Sequence, residues 1–189
     1  GGVPSLAELK LHNGTVYRWN RPVYDVADGV PHLRVENRIL AAGPTVVDTV
    51  ANAAFYFGLV RALAESERPV WSQMSFGTAR ENFQSAARLG IDARLSWPGV
   101  GRVPATELVR DTLLPLAHEG LAAWGVSDEE RERYLGIIEQ RCVTKTNGAE
   151  WFARKMRARE GMERFDALRA TLLEYQQAMH TNEPVHTWN

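Results

Sequence analysis

The stretch His32 to Pro44, H-L-R-V-E-N-R-I-L-A-A-G-P, limits what this chain can fold into more than any other. Side chains alternate across a strand with period two. Leu33, Val35 and Ile39 therefore share one face, with Asn37 breaking the apolar row, and His32, Arg34, Glu36 and Arg38 share the other. Gly43-Pro44 stops the strand, and Pro44 suits the first turn of a following helix. A half-solvated antiparallel strand, with its charges simply facing water, has this pattern. Two arginines flanking a glutamate also suit phosphates and a divalent metal. Periodicity leaves both readings open.

The residues before this strand read as extended. A short helix begins near Pro4 or Ser5, and Asn13-Gly14 is a turn signal. Thr15 to Asn20 alternates as a strand, Val23 to Val26 forms a second, and Asp28-Gly29 turns the chain into the third at His32. Arg21-Pro22 marks an edge or a break, because proline cannot donate to a ladder. Residues 13–40 thus form a small antiparallel β-meander. Three short, charged strands cannot cover their own edges, so further strands are expected from outside the chain.

Residues 44–181 read as helical. Val46, Val50, Ala53, Ala54, Phe57, Val60 and Leu63 form a broad apolar stripe on the first helix, and its alanines and Gly58 allow close packing. Asp48, Asn52 and Arg61 interrupt the stripe, which points to a core helix and not a membrane span. Thr78 is the expected N-cap of a helix ending at Gly90, and a helix over Pro104 to Trp124 is expected to break or bend at Pro115. Ser127 opens a helix reaching about Arg141, and two more follow over Ala149 to Arg159 and Met162 to His180. The fold class is α+β, predominantly α: a small meander followed by five or six helices.

Composition narrows the function. Of 189 residues, 44% are hydrophobic and 24% charged, as in a folded globular protein. A net charge of −1 gives no electrostatic case for nucleic acid or an anionic membrane as partner. The single cysteine, Cys142, excludes an intrachain disulfide and a Cys-rich zinc site. No basic-then-apolar leader opens the sequence, and a reducing, cytoplasmic location is expected. His12, His32, His118, His180 and His186 are too scattered for metal-ligand spacing. The basic run Arg154 to Arg159 fits a solvated helix face. His180 and His186, with Asn182 and Glu183 between them, fit either a segment closing over a site or an ordinary tail.

Several motifs together resemble glutamate–cysteine ligase family 2, the carboxylate–amine ligases. The matches are Arg21-Pro22, then Val35-Glu36-Asn37-Arg38 as the x-E-x-R strand, then Pro44-Thr45-Val46 at a helix start. A second match is E-N-x-x-x-A-A-R-x-G at Glu81, Asn82, Ala86, Ala87, Arg88 and Gly90. Ala41 stands where the family often has Asp, and Phe83 where it has Trp. More distantly, Arg34 to Arg38 is similar to the R-(I/V)-E-x-R strand of glutamine synthetase, which floors a funnel-shaped site in an antiparallel sheet.

The resemblance implies a division of labour. Glu36 would be a Mg²⁺ ligand, Arg34 and Arg21 would meet the phosphates of ATP, and Arg38 would contact the transferring phosphate or the substrate carboxylate. Arg38 and Arg34 would be the catalytic pair, with Asn82 and Arg88 as further substrate contacts. The implied substrates are glutamate or another carboxylate and an amine, joined through an acyl phosphate. The family's enzymes are longer, so the chain reads as a C-terminal part, inactive without the N-terminal half of the same ligase, and a homo-oligomer fits the family. The rival reading is a non-enzymatic helical interaction module that pairs through its sheet edge.

Overall fold

The structure is a computed structural model and describes residues 2–15, 20–40 and 42–189. It divides into two units, Gly1–Ala41 and Ala42–Asn189.

The first unit is a helix and a β-ribbon. Helix α1 spans Ala7–Thr15, strand β1 Asn20–Ala27 and strand β2 Val30–Asn37. Asp28 and Gly29 take φ of 52° and 78°, the left-handed pair that a two-residue hairpin needs to match strand twist. The meander is thus a two-stranded ribbon among the described residues, with Val23 to Val26 inside β1. The expected turn at Asn13-Gly14 is not formed, because α1 runs through both residues. The strand expected from Thr15 falls largely on residues 16–19, which lie outside the described residues, as does Ala41. Pro22 is accommodated inside β1, where a two-stranded ribbon has only edges.

The second unit is built on α2, Val46–Ala64. One face of α2 packs on α5 (Leu114–Ala123) and α6 (Asp128–Thr144), burying Val47, Ala51, Leu114, Ala117, Leu121, Leu135, Ile137 and Ile138 together. Glycine sets the α2–α5 spacing. A Cβ on Gly120 would stand 1.9 Å from the Gly58 carbonyl oxygen, and one on Gly58 would stand 2.4 Å from that of Ala117. The two backbones touch where any side chain would hold them apart. By length and composition alone α2 could cross a membrane; in this unit it is the helix that the core forms around.

The remaining elements follow the sequence with a few shifts. Helix α3, Phe76–Leu89, is capped by Ser75, whose Oγ accepts the Thr78 N–H at 3.1 Å. Thr78 therefore lies one turn inside the helix and not at its cap. Gly90 ends α3 at φ 54° as expected. A second ribbon, β3 (Arg94–Trp97) with β4 (Gly101–Pro104), closes over Pro98-Gly99-Val100. Helix α4, Ala105–Leu108, runs through a π-turn at Val109–Leu113 directly into α5. Pro115 lacks the N–H for an interior helical bond, and the wider turn just before it absorbs that loss without a break. Helices α7 (Gly148–Arg157) and α8 (Arg164–Thr181) pack with the tail around Trp151, Val185 and Trp188. Trp151, Tyr175 and Trp188 meet edge to face, with ring centroids 5.4 to 5.9 Å apart.

The glycine contact makes a test. Gly120→Ala is expected to cost about 1–3 kcal/mol in urea denaturation, although alanine is the better helix former. Gly136→Ala on α6, where a Cβ meets nothing within 4 Å, is the control and should be neutral or slightly stabilising.

Candidate functional site

The β-ribbon collects most of the residues singled out from the sequence. Its register pairs Arg21 with Glu36, Val23 with Arg34 and Asp25 with His32, so these six share one face. Tyr24 opposite Leu33, and Pro22 opposite Val35, make up the other. That second face is unevenly covered. Tyr24 is buried, its hydroxyl donating to the Pro4 carbonyl and its ring under the Lys10 ammonium, whereas Leu33 and Val35 stay 72% and 67% exposed.

Two ionic clusters occupy the charged face. At the open end, the Arg21 and Arg38 guanidiniums both donate through Nε to the same oxygen of Glu36, Oε2, with Arg38 at 3.0 Å. β2 ends at Asn37, so Arg38 reaches back from just past the strand. The hydrogen bond from Arg38, with that from Arg21, holds the Glu36 carboxyl below the usual range. One step toward the hairpin turn, Arg34 Nη1 sits 2.6 Å from His32 Nε2 and 3.8 Å from Asp25 Oδ2. Asp25 is held low chiefly by the Val26 N–H at 2.8 Å, with Arg34 adding to it. The pattern of the His32 strand gave no sign of Asp25, which only the ribbon register brings to Arg34.

Glu36 is a reasonable donor for a hard cation. Its Oε1 takes no hydrogen bond among the described residues, and Mg²⁺ commonly uses one or two carboxylates, filling the rest of its sphere with water and phosphate oxygens. Among the described residues no three His, Cys, Asp or Glu gather in a metal-binding group, so Glu36 has no companion carboxylates there to form a cage. The arginines that now hold Oε2 are the groups that a phosphate or carboxylate would engage by two-point contacts.

Asn82 and Arg88 belong to the second unit. The Asn82 amide is fully engaged. Its Nδ2 donates to the Ser96 carbonyl at 2.7 Å, and its Oδ1 accepts the Ser96 N–H at 2.8 Å, which locks α3 onto β3 as a further strand would. Arg88 lies exposed on α3, and no ion pair or hydrogen bond of its guanidinium is present among the described residues. Cys142 is buried and its thiol is pushed up to about 11 by desolvation, which makes it a poor nucleophile. The basic run at the end of α7 and just beyond it is an ion-pair face, with Lys155 and Arg159 on Glu174, and Arg157 on Glu150.

The sequence marked Asp48 and Asn52 as polar interruptions of the α2 stripe, and the structure gathers them into a buried polar centre. Asp48, with no side-chain exposure, accepts from Arg141 Nη2 at 2.5 Å, Thr45 Oγ1 at 2.9 Å and the Val185 N–H at 3.1 Å. Asn52 takes Arg141 Nη1 at 2.6 Å. The signal was visible as polar residues one turn apart in an apolar stripe, but their partner lies far along the chain.

The profile of glutamate–cysteine ligase family 2 matches residues 7–175, most of the sequence. The chain belongs to that family. No curated protein and no solved structure matches it.

Two measurements check these contacts. NMR titration should show Glu36 protonating below an ordinary glutamate, and Arg38→Ala should move it back up. Because its folded-state value is depressed, the ion pair's contribution to the ribbon is present above the free-glutamate range and fades as pH falls through the lower folded value. Asp48→Ala should lower stability by about 3–5 kcal/mol in urea, because it leaves the Arg141 charge buried and unpaired.

Proposed function

We propose that the chain is the C-terminal part of an ATP-dependent carboxylate–amine ligase of the glutamate–cysteine type, cytoplasmic, with its chemistry on the charged face of the β1–β2 ribbon. The observation that carries this reading is the pair of guanidiniums converging on Glu36 Oε2 in a chain of this family. Members of the family generally use ATP and Mg²⁺. Bound Mg²⁺ would neutralise phosphate charge during transfer, and Glu36 is the residue that would hold it here.

The chain's own residues would do the following. Arg38 and Arg21 would leave Glu36 to grip oxygens of the phosphate in transit or of the acceptor carboxylate. Arg34 would bind the nucleotide phosphates, released from its weak contact with Asp25. The carboxylate attacks the terminal phosphorus of ATP, ADP leaves, and the amine displaces phosphate from the acyl phosphate to form the amide. Phosphoryl transfer of this kind depends mainly on positioning and charge neutralisation. Within the second unit, Asn82 is spent on Ser96, and the family motif leaves Arg88 as its exposed candidate for a substrate carboxylate.

A second reading, pairing through a sheet edge, is favoured by the exposure of Leu33 and Val35 on a ribbon with open edges. The two are compatible if the N-terminal half of the ligase supplies the next strand.

The test is carboxylate- and amine-dependent ADP release by the complete ligase. Glu36→Gln should nearly abolish it, and Arg38→Lys should lower kcat about 100-fold, the loss of about 3 kcal/mol from one charge-stabilising contact. Wild-type rates in Glu36→Gln would sink the assignment. The present chain alone should not turn over.

A further inference from the structure

The second unit contains a groove that uses no residue of the ribbon. It has a volume of about 550 Å³ and lies between α6 and the turn after α8. Arg133 and Gln140 line it from α6, and Asn182, Glu183 and His186 line it from the tail. A volume of this order suits a small organic molecule.

Three features of the lining leave polar groups open to a ligand. Arg133 and Glu183 carry opposite charges, yet neither forms a salt bridge with any described residue; the Arg133 guanidinium only lies 5.3 Å from the Tyr134 ring centroid. His186 has a buried Nδ1 without a hydrogen-bond partner among the described residues, an uncommon state for a native polar atom. Asn182, left-handed at φ 57°, spends its Oδ1 on the Val47 N–H at 3.2 Å, which leaves its Nδ2 as a donor.

The wall that carries these groups is fixed in place. The Val185 N–H is held by buried Asp48, and Trp188 Nε1 donates to the Glu183 carbonyl at 2.9 Å. Little ordering would therefore be lost on binding. Burial pushes the His186 imidazole down, so near neutral pH it is uncharged, and the groove's net charge comes from Arg133 and Glu183. A ligand with one charge sign would satisfy one of them and oppose the other.

We propose that this groove binds a small zwitterion, an amino acid or short peptide, with its carboxylate on Arg133 and its ammonium on Glu183. Gln140, Asn182 and His186 would supply neutral hydrogen bonds between the charged ends.

The test follows the His186 ring resonances of the full chain by NMR, with glycylglycine, succinate and 1,4-diaminobutane as probes. Glycylglycine should give a saturable shift, with binding at least tenfold weaker in Arg133→Gln and in Glu183→Gln. The two probes of single charge sign should also bind at least tenfold more weakly. No response to glycylglycine, indifference to either substitution, or equal binding of a single-sign probe would overturn the proposal. Glu36→Gln should leave the glycylglycine response unchanged, which separates this site from the ligase reading.

Discussion

The second unit depends on one buried ion pair. Asp48 stands in the first turn of α2 and Arg141 near the end of α6, and their contact ties the start of one helix to the end of another. A buried charge pair is tolerated only when its remaining donors and acceptors are met. Here Thr45, Asn52 and the Val185 N–H meet most of them. The tail is therefore part of the unit's core. Its aromatic cluster of Trp151, Tyr175 and Trp188 adds apolar burial beside the polar centre.

The same logic governs the ribbon with the opposite outcome. Glu36 is paired twice but remains accessible to solvent, so its partners can be exchanged at small cost. A structural centre benefits from burial that makes exchange expensive. Asp48 and Glu36 are both carboxylates with guanidinium partners, and burial separates their surroundings.

Much of the architecture was legible because it rests on local rules. The helix start at Ser127 follows from its side-chain cap, and Gly90 ends α3 through its positive φ, whereas Pro44, expected in the first turn of α2, stands before its cap Thr45, and Asn147 caps α7 one residue ahead of the expected start at Ala149. The hairpin at Asp28-Gly29 follows from left-handed turn chemistry. Local rules misled at Asn13-Gly14, where α1 continues, and at Thr78, where Ser75 three residues earlier takes the cap. In both places two adjacent signals compete, and short-range propensity does not rank them. At Pro115 the break or bend expected from its missing N–H gives way to a π-turn at Val109–Leu113, through which α4 runs on into α5.

By itself the sequence determined the alternation that puts Arg34 and Glu36 on one side of β2, the motifs of the ligase family, and a largely helical remainder. These depend on residues close together in the chain. Tertiary structure alone decided which oxygen of Glu36 the arginines share, that Asp25 answers Arg34, that Asn82 is spent on Ser96, and that Arg141 and Val185 close around Asp48. Each of those is a choice of partner across a turn or across the whole unit. A residue's type fixes how many bonds it can make, but only the packed backbone fixes with whom.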